Sequence, residues 1–132
     1  MIFGIGTDVV QIERIAKLHE RYGEHFVKRL LMPEEEAGLR AAHARPARYL
    51  AMRFAAKEAI VKAMGTGFAH GMWIRDCGIA TNAWGRPEAI WSARGRQMCV
   101  QLGIGESHVT LTDEAGLVIA VAILMKRVDP PG

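Results

Sequence analysis

The chain has 132 residues, 50% of them hydrophobic, a formal net charge of +3 and two cysteines. That length suits one domain, and the composition excludes a disordered chain. The mild basic excess fits an anionic partner without selecting among nucleic acid, acidic protein, nucleotide and membrane surface.

The N-terminus, MIFGIGTDVVQIERI, has neither the basic n-region nor the cleavage site of a signal peptide. Ile2 to Asp8 reads as a strand, and its interleaved Gly4 and Gly6 predict a close backbone approach. Gln11 to Arg21 reads as a helix and Glu24 to Leu31 as a short one. Pro33 opens a third, with Glu34, Glu35 and Glu36 where the helix dipole favours anions. Pro46 opens a longer helix to about Met64, closed by Gly65.

Beyond it the pattern changes. Trp73 to Thr81 reads as a strand, Asn82 to Pro87 as a turn and Glu88 to Trp91 as a return strand. Ser92 is placed to cap a helix ending at Gly103. Ser107 to Thr112 alternates, with Val109 and Leu111 on one face and His108, Thr110 and Thr112 on the other. Asp113 to Gly116 is a hairpin turn, and Leu117 to Leu124, apolar throughout, predicts a strand buried on both faces. The apolar run ending at Met125 is too short for a bilayer, which takes about 20 residues as a helix. Cys77 and Cys99 lack metal or disulfide spacing and read as inert thiols of a reducing compartment, so a soluble cytoplasmic protein is expected. The order of elements predicts an α+β fold, an antiparallel sheet packed against a long buried helix, with one domain over residues 1–126 and a tail over 127–132.

The long helix carries the chemistry. At about 100° per residue its apolar and alanine positions cover most of its circumference, so it is largely buried. Its charges form two i,i+4 pairs, Arg53 with Lys57 and Glu58 with Lys62. On an exposed helix such spacing would be ordinary surface pairing, worth about 0.2–0.5 kcal/mol each. On a buried helix it points to a cleft, where three cations around one carboxylate suit a polyphosphate and a bridging metal. Asp8, at the end of the first strand, is the candidate second carboxylate, although spacing alone does not bring it to Glu58.

Four motifs occur in order: Gly4-Ile5-Gly6-Thr7-Asp8-Val9-Val10, the Arg53-to-Ala63 segment followed by Gly65-Thr66-Gly67, the Asn82-Ala83-Trp84-Gly85-Arg86-Pro87 turn, and Ser107-His108-Val109-Thr110-Leu111-Thr112-Asp113. Together they resemble holo-[acyl-carrier-protein] synthases, the small type of 4'-phosphopantetheinyl transferase, over nearly the whole chain. The resemblance implies transfer of the phosphopantetheine arm of coenzyme A to a serine of an acyl carrier protein, for fatty-acid biosynthesis, with release of 3',5'-ADP. It also implies a homotrimer with its sites at the subunit clefts. It assigns Mg2+ to Asp8 and Glu58, and the CoA pyrophosphate to Lys62. Arg53 and His108 go to the 3'-phosphate end, Lys57 to the phosphates, and Gly65, Thr66, Gly85, Arg86 and Pro87 to the nucleotide. Read without the resemblance, His108 is more simply a satisfied strand histidine. Thr7 departs from the aliphatic or small residues of the family, without obstructing Asp8.

The nucleophile is then the partner's serine, and Glu58 and a metal-bound water are the candidate acceptors of its proton. Arg14, Lys17 and Arg21 share one face of the first helix, and Lys28 extends it. Such a stripe is commonly just a solvated face; here it would steer an acidic carrier protein. A nucleic-acid-binding domain is the competing reading by charge, but no recognition helix or aromatic stacking strand supports it. A CoA-binding module without transfer activity is the other alternative, and the intact Asp8, Glu58 and Lys62 set argues against it.

Overall fold

The computed structural model describes residues 1–128. Three antiparallel strands form the main sheet: β1 (Ile2–Gln11), β4 (Ile104–Glu114) and β5 (Leu117–Lys126), in the order β1-β5-β4. A hairpin of β2 (Cys77–Thr81) and β3 (Pro87–Trp91) forms a second, two-stranded sheet. The helices are α1 (Ile12–Tyr22), α2 (Glu24–Leu30), α3 (Pro33–Ala41), α4 (Pro46–Met64) and α5 (Ala93–Leu102). The architecture is the α+β arrangement expected.

Helix α4 crosses the inner face of the main sheet and is the centre of the core. Leu50, Ala51, Ala55, Ala56, Ala59, Ile60 and Val61 are all fully buried. Its alanines meet the glycines of β1. A Cβ at Gly4 would collide with the Ala63 carbonyl, and one at Gly6 with the Ala59 carbonyl. The backbone approach predicted from those glycines is therefore to α4, and it brings residue 8 beside the helix. Ser92 caps α5 as expected, accepting from the Gly95 N–H at 3.0 Å.

Three sequence expectations change. Strand β2 starts at Cys77 and not Trp73, because Asp76 folds residues 73–76 into a turn: its carboxylate accepts the Trp73 N–H at 2.9 Å and its own N–H donates to the Trp73 carbonyl at 2.9 Å. Strand β4 runs on to Glu114, since the two-residue turn at Ala115 and Gly116, both at positive φ (54° and 78°), continues the strand twist. Strand β5 is buried on one face only. Val118, Ala120, Ala122 and Leu124 point at α4 and are fully buried, whereas Leu117 and Ile119 are 36% and 40% exposed and Val121 and Ile123 are half-buried. Ile5 and Val9 of β1, each 58% exposed, continue this outer apolar face. Of the expected tail, residues 129–132 lie outside the described residues.

Burial pushes the Cys77 thiol up to about 12 and the Cys99 thiol to about 11, so both remain protonated at neutral pH. No helix among the described residues is long and apolar enough to cross a membrane.

Candidate active site

On β1, Gly6 and Val10 are buried toward α4, and Asp8 lies between them on the same face. Lys62, on the last turn of α4, reaches across to it. The Lys62 ammonium lies 3.2 Å from Asp8 Oδ1 and donates to the Thr7 carbonyl at 3.0 Å. The second oxygen, Asp8 Oδ2, is buried with no hydrogen-bond partner. Glu58, one turn earlier on α4, has its carboxyl held above the ordinary carboxylate value, chiefly by burial and then by the negative charge of Asp8. Lys62 and Arg14 pull in the opposite direction. The structure thus joins two carboxylates that sequence spacing could not, and adds Arg14 of α1 to their field.

This donor set suits a hard divalent ion. Mg2+ takes one or two protein carboxylates and leaves its other positions to water and substrate oxygens. Asp8 and Glu58 supply two carboxylates, one with a buried oxygen free of other bonds. Among the described residues no group of three or more His, Cys, Asp or Glu side chains gathers as a closed transition-metal site would require.

One turn beyond Lys62, α4 ends at Gly65, in the left-handed region at φ 81°. The Thr66 and Gly67 N–H groups both return to the Val61 carbonyl, at 3.2 and 3.1 Å. Space is open around Gly65, Gly67 and Gly85, where an added Cβ would meet nothing within 4 Å.

A second cluster lies elsewhere. Arg86, Pro87, His108 and Thr110 wall a groove of about 230 Å³ floored by Val121 and Ile123. It opens on the outer face of the sheet, at the β4 edge. Asp8 pairs in register with Ala120 and His108 with Ile123, on opposite sides of β5. Within one chain the carboxylate pair and this groove are therefore separated by the sheet itself. Arg53 joins neither cluster: it is 9% exposed, its guanidinium lies 3.8 Å from the Tyr49 ring centroid, and its Nε has no partner.

Lys57 requires correction. Expected beside phosphates, it is fully buried, 2.8 Å from Glu35 Oε1, and donates to the carbonyls of Ile74 (3.2 Å) and Cys77 (2.6 Å). Its three ammonium protons are committed inside the core. Lying about 100° round the helix from Glu58, it faces α3 and β2. Glu35, in the first turn of α3, is the partner of that lysine. Its carboxylate also accepts the Met32 and Ile79 N–H groups, at 2.9 and 3.2 Å. A lysine in the middle of an apolar helix was the available signal, since a buried cation needs a buried partner.

The basic face of α1 is exposed as expected. Arg14, Lys17 and Arg21 line a shallow groove of about 440 Å³ with Leu18. Lys17 pairs with Glu13 at 3.5 Å and Lys28 with Glu36 at 3.1 Å, so both are partly neutralised. Beside this face Leu18, Tyr22, Phe26, Leu30 and Ile74, with His25 and Arg29, line a mostly apolar groove of about 400 Å³.

Comparison with known proteins identifies the family. Residues 4–122 match the model of the 4'-phosphopantetheinyl transferase superfamily. The chain belongs to that family. It is similar to the holo-[acyl-carrier-protein] synthase of Acidithiobacillus ferrooxidans, at 42% identity over 94% of this chain and 97% of that one. The crystal structure of the Neisseria meningitidis holo-[acyl-carrier-protein] synthase superposes with a TM-score of 0.90 at 39% identity, covering 96% of this chain and 100% of that one. That of the Helicobacter pylori enzyme in complex with coenzyme A does so with a TM-score of 0.78 at 28% identity, covering 91% and 98%. The chain is thus an enzyme of the phosphopantetheinyl transferase family with the fold of its holo-[acyl-carrier-protein] synthases, as its ordered motifs implied.

Proposed function

We propose that this enzyme transfers the 4'-phosphopantetheine arm of coenzyme A to a serine of an apo acyl carrier protein in the cytoplasm, serving fatty-acid biosynthesis. The observation that carries the proposal is Asp8, held by Lys62 at 3.2 Å with its second oxygen buried and unpartnered, within reach of the charge of Glu58 between β1 and α4.

Asp8 and Glu58 would hold Mg2+, which when bound neutralises negative charge on the pyrophosphate and the departing 3',5'-ADP. Lys62, already anchored by Asp8 and the Thr7 carbonyl, places its charge against the same phosphates. The serine oxygen forms a bond to the phosphorus bearing the pantetheine arm, and the bond from that phosphorus to the bridging oxygen breaks. The serine proton needs an acceptor. Glu58 and a metal-bound water are the two candidates for that role. Arg14, Lys17, Arg21 and Lys28 form the basic approach for an acidic carrier protein, and Arg14 connects that approach to the Glu58 site.

Arg86, Pro87 and His108 would take the nucleotide end of CoA. Their groove lies across the sheet from Asp8, so one CoA spanning both draws its two ends from neighbouring copies of the chain. The uncovered apolar face of Ile5, Val9 and Ile119 beside the groove supports such an assembly, in keeping with a homotrimer.

The deciding assay incubates the enzyme with CoA, Mg2+ and an apo carrier protein and follows the carrier by mass spectrometry. A phosphopantetheine mass gain is expected, abolished by chelation and by Asp8→Ala or Glu58→Ala. Full activity in either variant would remove the metal assignment; no mass gain in the unmodified enzyme would remove the transferase reading.

A further inference from the structure

We infer that Trp84 is the platform on which the adenine of coenzyme A stacks, so that this enzyme recognises the nucleotide end of its substrate by an aromatic face. The inference rests on the transferase reading and adds a specificity residue to it.

Trp84 stands at the tip of the β2–β3 hairpin and is 94% exposed. Tryptophan is ordinarily well buried, because its indole is a large apolar surface. Here the turn that presents it is fixed. Asn82 Oδ1 accepts the N–H groups of Trp84 and Arg86, at 2.9 and 3.0 Å. The Asn82 carbonyl accepts the Gly85 N–H at 2.9 Å, and the Asn82 N–H donates to the Arg86 carbonyl at 2.9 Å. The Asn82 amide nitrogen is held by Glu88 at 2.9 Å. The backbone carrying the indole is thus pinned in water.

Two residues on, Arg86 opens the groove shared with His108. A guanidinium and an imidazole suit a phosphate, and an adjacent free aromatic face suits a base. The N–H groups of Asn82, Trp84, Gly85 and Arg86 are spent inside the turn, so none of these amides is free to donate to a ring nitrogen of a base. Stacking does not need the hydrogen-bonding edge of the base. Adenine would therefore be held by its face, and an edge-modified purine would be accepted.

The test is calorimetric titration of 3',5'-ADP, CoA and 1,N6-etheno-CoA into the wild type, Trp84→Ala and Trp84→Phe. Trp84→Ala should weaken 3',5'-ADP roughly 5- to 100-fold, the usual range for loss of one base–aromatic stack, while Trp84→Phe retains most of the affinity. Etheno-CoA, whose adenine edge is blocked, should bind the wild type within about threefold of CoA. Replacing so exposed a side chain should leave the melting temperature unchanged. Unaltered nucleotide affinity in Trp84→Ala would overturn the inference, as would loss of etheno-CoA binding by the wild type. A fall in solution mass of Trp84→Ala without loss of nucleotide affinity would assign the indole to a subunit contact instead. If the wild type binds neither CoA nor 3',5'-ADP, it is the transferase reading that fails.

Discussion

Lys57 and Glu35 form an ion pair at 2.8 Å with both side chains at 0% exposure. The pair ties α4 to the start of α3, and through the Ile74 and Cys77 carbonyls to the start of the β2–β3 hairpin. Every polar atom in it has a partner, which is the condition under which a buried pair is tolerated. Lys57→Met would strand the Glu35 carboxylate in the core. A loss of about 3–5 kcal/mol in unfolding free energy is expected, read from urea denaturation. A change below about 1 kcal/mol would mean that the carboxylate finds water. Because Glu58 follows Lys57 directly, transfer activity should be compared only at temperatures where the variant remains folded.

Gly6 makes the sheet–helix approach possible. A methyl group there meets the Ala59 carbonyl, a backbone atom that cannot move aside. Gly6→Ala should cost about 1–3 kcal/mol by overpacking. Its effect should extend beyond stability, since Asp8 is two residues along the same face of β1. The expected result is a raised Mg2+ requirement for transfer in the folded variant, measured as the concentration for half-maximal rate. Loss of stability with an unchanged Mg2+ requirement would separate the packing from the metal site.

Arg48, on the first turn of α4, grips Asp113 of β4 with two hydrogen bonds, at 2.8 and 2.9 Å. That contact holds the Asp113 carboxyl below its ordinary value. A depressed carboxylate stabilises the fold above the pKa of the unfolded chain, about 3.9, and the contribution disappears as pH falls through the lower folded value. Arg48→Ala should therefore be less stable than the wild type near neutral pH, by about 1 kcal/mol or less for so accessible a pair. The gap should close in acid, as pH falls below the unfolded value and through the lower folded one. Urea midpoints across that range test it, and a gap that widened in acid would contradict the assignment.

Much of this was legible because local signals agreed with the final packing. Pro46 and Gly65 bracket α4, Gly4 and Gly6 announce a close contact, and the alternation in β4 separates His108 from Val109. Two things were hidden for physical reasons. The partner of a buried lysine lies in another element, and no spacing rule connects Glu35 with Lys57. Strand β5 is apolar from Leu117 to Met125, and an unbroken apolar run cannot distinguish burial on one face from burial on both. Asp8 and Glu58 were linked in advance only by the order of motifs; the approach of β1 to α4 supplies the physical link.

The outer sheet face gives the last prediction. Val9 and Ile119 are register partners on β1 and β5, and both point away from α4. Neither supports the core of its own chain, so Ile119→Lys should leave the helical signal and the thermal transition of an isolated protomer intact. If copies of the chain assemble through this face, the buried ammonium would be too costly to leave unpaired. Light scattering should then give the mass of one subunit for the variant and a multiple of it for the wild type. Transfer activity should fall with assembly, because in the proposed arrangement Arg86 and His108 would meet the Asp8 site of a neighbouring copy. The residual activity should rise with protein concentration, as expected of a site restored by association. A monomeric variant with full activity would break the link between the two faces, and a single chain would then have to bind CoA around the edge of its own sheet.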